Sequence, residues 1–260
     1  MRNPLSGEKL TQIGCEVFSA DLREIKAITR ALEGADGALV ICPLKTDAAD
    51  VSGDARSLID GLAHDIDAAR PMQVVAISDY GAHVPSGTGI TLIFRYLEEQ
   101  LSRLPVPMIF LRSAEHMQNA RRYLGVVRAK GILPSLHHPL TKIFPTISAL
   151  DVGLVAAELL SEPKQHSSGK RVIRVEGPRR CSSEELASVL SKLVGKPVGA
   201  LAWPREQWTS ALTSGGLGPS YAQLVTELQD AHNVGLIDVE PGGEVRRGTT
   251  DFEAALSNER

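Results

Sequence analysis

Through its first 115 residues this chain alternates short apolar runs with stretches of helical periodicity, and that alternation leaves few architectures open. Ala38–Cys42, Val74–Ile77 and Val106–Leu111 are apolar runs bounded by turn residues. Between them Leu58, Leu62, Ile66 and Ala69, then Ile90, Phe94, Leu97, Leu101 and Leu104, recur at helical spacing. Strands separated by helices must run parallel through right-handed crossovers, so the pattern predicts a doubly wound parallel α/β sheet with helices on both faces. Cys15–Ser19 reads as a further strand. Asp21, with Glu24 three residues on, reads as the N-cap of a helix reaching Glu33. The second half is less regular. It shows helical stretches near 117–129, 151–160, 206–213 and 220–231, and a strand at Val172–Glu176. Ser182 with Glu185 predicts a capping box, and Thr250 with Glu253 a capped last helix.

Composition removes several function classes. The 28 Lys and Arg against 31 Asp and Glu give a net charge of -3, with no basic footprint for nucleic acid. No apolar stretch approaches the length that spans a bilayer, and MRNPLSGEKL carries no apolar signal core. Cys15, Cys42 and Cys181 are an odd, scattered set, as expected in a reducing compartment. We therefore expect a cytoplasmic protein with neither membrane nor nucleic-acid partner.

In a doubly wound sheet ligands bind beyond the carboxyl ends of the strands. The residues to weigh are Asp21-Leu22, Cys42-Pro43, Ser78-Asp79-Tyr80-Gly81 and Arg112-Ser113-Ala114. There is no Walker motif, no G-x-G-x-x-G ahead of the first strand, no H-E-x-x-H or C-x-x-C, and no G-x-S-x-G. Ser86-Gly87-Thr88-Gly89 reads as a loop before a helix, and GGEVRRG at 242–248 as a solvated tail. His137 and His138 are adjacent and diverge on either a helix or a strand, so no metal is expected.

Ten segments in order make the chain similar to the NmrA-like family of atypical short-chain dehydrogenase/reductases, in particular its quinone- and azo-reductase-like members. They are RNP (2–4), SADL (19–22), 38–43, ISDYGAH (77–83), SGTG (86–89), FLRSAEHMQN (110–119), GILPS (131–135), GPRRCSSEELA (177–187), WPREQW (203–208) and EVRRGTT (244–250). The resemblance implies a Rossmann-like core over 1–115 with return segments about 140–180. It implies a substrate-side helical cap and tail over 116–139 and 181–260. It also implies NADP(H) or NAD(H) as cofactor and a small-molecule electron acceptor. By position it places Arg2 at the 2′-phosphate, Asp21 and Leu22 beside the adenine, and Ile41, Cys42 and Pro43 along the ribose and pyrophosphate. It places Ser78 near the nicotinamide, and Arg112 and Ser113 in the turn that follows. Met117, Asn119 and Tyr123, with Trp203, fall at the acceptor. Ser113 stands where the family has proline, and His116 where it has an aromatic residue.

The family pattern opens with a strand, a glycine-rich loop, a helix and a second strand before the position of Arg2, and this unit has no counterpart here. Its loop N–H groups and helix dipole are worth about 4–8 kcal/mol to a pyrophosphate, so the expectation is an N-terminally truncated core with weak or lost cofactor binding. The helix carrying the superfamily's Tyr-x-x-x-Lys reads Thr91-Leu92-Ile93-Phe94-Arg95. The catalytic residues stay unassigned: Tyr80 and Tyr96 are the nearest phenols, Tyr96 on the helix surface, and Ser78 and Tyr80 are the candidates. The function expected is an NAD(P)H-dependent reductase of quinone- or azo-type acceptors, the alternative a non-catalytic NAD(P)-sensing regulator.

Overall fold

The computed structural model describes residues 7–18, 20–22, 28–162, 169–237, 240 and 242–257. Helices α1 (Glu8–Gln12) and α2 (Thr29–Leu32) precede strand β1 (Ala38–Val40) and helix α3 (Val51–Ala69). Then come β2 (Val74–Asp79), α4 (Thr91–Leu101), β3 (Met108–Ser113) and the short β4 (Glu115–His116). A 3-10 turn over Met117–Tyr123 leads into α5 (Leu124–Lys130), β5 (Ile132–Ser135), β6 (Thr146–Ile147), α6 (Ala149–Ser161) and β7 (Lys170–Glu176). The chain closes with α7 (Ser183–Val194), β8 (Gly199–Ala202), α8 (Trp208–Ser214), α9 (Pro219–Asn233), β9 (Glu244–Arg247) and α10 (Phe252–Ser257).

The main sheet has the order β1-β2-β3-β7-β9, and every pairing in it is parallel. Successive side chains on a strand point to opposite faces, and the packing follows that alternation. Val74, Ala76, Met108 and Phe110 meet Leu58, Leu62, Ile66, Leu97 and Leu101 of α3 and α4. Val75, Ile109, Leu111, Ile173 and Val175 meet Val152, Val155 and Leu159 of α6 on the other side. All six residues of β3 are buried, as the centre of a two-faced sheet requires. A separate core formed by α5, α7, α10 and the 117–123 turn gathers Met117, Val127, Leu190 and Phe252 beyond the sheet. Among the described residues no helix is long and apolar enough to cross a membrane.

Several sequence expectations are corrected here. Residues 15–18 form no strand and stay exposed or half-buried. A β-like run needs a neighbour for its backbone groups, and none of the described strands pairs with it. Ser19 and residues 23–27 lie outside the described residues, so the helix expected from Asp21 is seen only as α2. The 244–248 segment is not a solvated tail: β9 adds to the sheet beside β7. It is tied there by Arg171 to Glu244 (2.8 and 2.9 Å) and by Gly248 N to Glu176 O (2.8 Å). Ser182 forms the predicted capping box with Glu185. The last helix, however, is capped by Asp251, whose Oδ1 accepts from Ala254 N at 2.8 Å. Thr250 instead gives its N–H and hydroxyl to buried Asp151. Gly248 is needed beside that contact, because a Cβ there would stand 2.2 Å from the Asp151 carboxylate.

Candidate functional site

The tips of β2 and β3 converge on a cleft of about 350 Å³. Its floor is Ser78, Asp79 and Tyr80 at the end of β2, and Ser113, Ala114, Glu115 and His116 from the end of β3 through β4. Leu44, beyond β1, and Ile90 and Phe94, at the start of α4, form one wall; Asn119, Arg122 and Tyr123 form the other. Helix α9 is the roof, with Tyr221, Val225, Leu228, Gln229 and His232 turned to the cleft. The roof is seated by a backbone approach that only glycine permits. Gly89 has φ +52, a Cβ on it would lie 2.1 Å from Leu224 O, and Ile90 N donates to that same carbonyl at 3.2 Å. The Ser86–Gly89 loop therefore serves as the seat of α9.

Of the residues singled out from sequence, Ser78, Tyr80, Ser113, Asn119 and Tyr123 come together in this cleft. Arg2 lies outside the described residues. Leu22 packs toward α3, its carbonyl facing Gly61, and neither it nor Asp21 lines the cleft. Ile41 and Pro43 are exposed at the tip of β1, and Ile41 is 60% exposed. Cys42 is buried between them; burial, with the Asp54 charge adding, pushes its thiol up to about 11 and leaves it unreactive at neutral pH. Met117 is buried and lines a smaller chamber behind the cleft. Trp203 packs in a cluster around Trp208, with its Nε1 donating to Gln207.

Arg112 is directed inward. Its Nε and Nη2 donate to the two oxygens of Glu98 on α4 (2.9 and 2.6 Å), and Nη1 reaches Glu240. Ser78 completes the knot, its hydroxyl donating to Glu98 Oε1 at 2.5 Å. The Tyr80 hydroxyl is likewise engaged. It donates to Glu176 Oε1 (3.0 Å) and accepts from Arg180 Nη2 (3.0 Å). Burial and the neighbouring Glu176 charge raise its pKa above the ordinary phenol value, the reverse of what a proton donor at neutral pH requires. Tyr80→Phe is accordingly expected to lower stability by about 1.5–3 kcal/mol through the loss of its hydrogen bonds to two charged partners, read as a shifted urea midpoint.

The sequence assigns no role to the titratable groups at the floor of the cleft, although Asp79 is among its strand-tip residues. Asp79 accepts from Thr91 Oγ1 (2.6 Å) and Tyr80 N (3.0 Å). Burial, with the charges of Glu115 and Glu98 adding, nonetheless raises its pKa to about 6. Glu115 is also penalised by burial, but the His137 hydrogen bond and charge outweigh that and hold it below the usual carboxylate range. His137 Nε2 stands 3.3 Å from Glu115 Oε2, and its ring stacks on Phe144 at 3.7 Å. His116 faces Ser113 Oγ at 3.1 Å, and burial keeps it neutral beyond the ordinary imidazole range. Asp79 was visible as the last residue of a strand tip. Gln229 and His232 at the cleft, and His137 in the chamber behind it, carry no local signal, because tertiary packing alone brings them there.

Comparison with known proteins places this geometry. No family model matches the chain. The chain is 27% identical over 263 aligned positions to an NAD(P)H azoreductase of Xenophilus azovorans, covering 99% of this chain and 87% of that protein. Among solved structures it is similar to an NADPH-dependent quinone oxidoreductase of Escherichia coli complexed with NADPH. There the TM-score is 0.79 and the identity 21%, over 98% of this chain and 87% of that one. A mutant NmrA aligns with a TM-score of 0.70 and 15% identity, over 100% of this chain and 82% of that one. The fold is Rossmann-like. The cleft lies at the sheet position where such folds bind their ligands.

Proposed function

We propose that the protein is an NAD(P)H-dependent reductase of small aromatic acceptors of the quinone or azo type. The observation that carries this reading is the cleft at the tips of β2 and β3 under α9, in a chain that aligns almost end to end with an azoreductase. The bound dinucleotide would supply the hydride. Ser78, Ser113 and Leu44 would border its nicotinamide end, and the exposed apolar tip at Ile41 and Pro43 offers a shelf leading to it. Asn119, Tyr123 and Tyr221 would face the acceptor from the wall and roof. Hydride transfer asks mainly that donor and acceptor be held close and dry. A cleft with aromatic walls is consistent with that demand.

Mixing the protein with NADPH and menadione or an azo dye should consume the nicotinamide absorbance in proportion to protein added. Binding without consumption would replace this reading with the regulatory one, which no feature of the cleft favours. Titration with NADPH in the absence of acceptor should show saturable binding, and its absence would remove the cofactor from this reading.

A further inference from the structure

Behind the cleft is a second, smaller chamber of about 50 Å³, continuous with it through Glu115, His116, Tyr123, Leu136 and Gln229, which line both. Its walls are largely apolar, from Met117, Leu133, Leu186 and Phe252. Polar side chains interrupt that pattern, and three of them have a buried atom without a hydrogen-bond partner: Gln229 Oε1, His137 Nδ1 and Thr146 Oγ1. Gln229 and His137 are each only 7% exposed. A buried polar atom left without a partner costs about 1–3 kcal/mol, so several in one small chamber call for an occupant that satisfies them.

The chemistry of that occupant can be read from the pair. His137 Nε2 faces the Glu115 carboxylate, which leaves Nδ1 an acceptor in the neutral ring and a donor in the charged one. Gln229 Oε1 is an acceptor in either case, and a hydroxyl can donate to it while meeting Nδ1 in either form. Glu115, kept ionised by His137, opposes an anion beside them. We infer that the chamber is a specificity pocket for an uncharged hydrogen-bond donor, a hydroxyl group carried on an aromatic ring whose body lies in the cleft. The inference rests on the reductase reading only in calling that ring the electron acceptor.

The test uses probes that need no turnover: 1-naphthol, 1-methylnaphthalene, which replaces hydroxyl by methyl at similar size, and 1-naphthoate. Calorimetry on the wild-type protein should show 1-naphthol binding at least about ten-fold more tightly than 1-methylnaphthalene, with 1-naphthoate weaker than either. In Gln229→Met, of similar volume, the ratio of the two neutral probes should fall towards one. Equal binding of both neutral probes by the wild type, an unchanged ratio in the variant, or preference for 1-naphthoate would each overturn the proposal. If Gln229→Met does not fold, the wild-type ratio decides alone. Failure of menadione to consume NADPH, with the naphthol preference intact, would remove the reductase reading and leave the pocket standing. Turnover with no naphthol preference would do the reverse.

Discussion

Arg112→Met should lower the unfolding free energy by about 3–5 kcal/mol, the range for breaking a buried ion pair from one side. Arg112 and Glu98 are both buried, and their contact is bidentate, with the guanidinium fork matched to both carboxylate oxygens. Methionine fills most of the volume but leaves Glu98 with only the Ser78 hydroxyl, and Glu240 without its arginine. The cost is therefore an uncompensated charge rather than a cavity. Two further variants separate these causes. Arg112→Lys keeps the charge but loses the fork, and should recover little. Arg112→Met combined with Glu98→Leu removes both charges and should recover most of the loss. Denaturant midpoints for the three variants decide the matter. A double variant no more stable than the single one would show that Arg112 acts by packing.

Asp79→Asn should act in the opposite direction, raising stability at pH 7 by about 2–3 kcal/mol. The Asp79 carboxyl has a folded pKa of about 6, against about 3.9 for an unfolded aspartate. Below pH ~4 both states hold the proton and the group contributes nothing. Between pH ~4 and ~6 the folded protein keeps a proton that the unfolded chain has released, so stability falls as pH rises. Above pH ~6 the full cost is in place. Asparagine can still accept from Tyr80 N and meet the Thr91 hydroxyl, and it has no charge to desolvate. Unfolding measured from pH 4 to 7.5 should show a decline in the wild type that is flattened in the variant. Parallel curves would refute the assignment. A group that costs stability in a cleft is the kind that function retains.

Much of the sheet was legible because its signal is local. Val74–Ile77 and Val106–Leu111 are short runs that one strand can bury on both faces, and the helices between them carry their apolar stripes at fixed spacing. Ser182 and Glu185 announced their helix start three residues apart. Cys15–Phe18 misled because a strand is a relation between two segments, and an apolar pair such as Val17-Phe18 does not say whether a neighbour exists. The segment 244–247 misled in the opposite sense. Its glutamate and arginines suggested solvent, yet those charges find partners in Arg171 and Glu162 at the sheet edge. In the cleft, strand tips could be ranked because topology brings them together. The roof and the chamber behind it could not, since Gln229 and His137 lie far apart in the sequence and only tertiary packing brings them to one chamber.

The backbone approach at Gly89 fixes more than a packing distance. Because Leu224 O of α9 accepts directly from the first N–H ahead of α4, roof and wall are joined at that point, and parting them breaks this bond. Ligand traffic should then pass by the opposite rim, where the exposed Arg122 guanidinium leans on Asn119. The amide of Ile90 should exchange with solvent only when that whole assembly opens, which makes it a built-in reporter of how often the cleft unlatches.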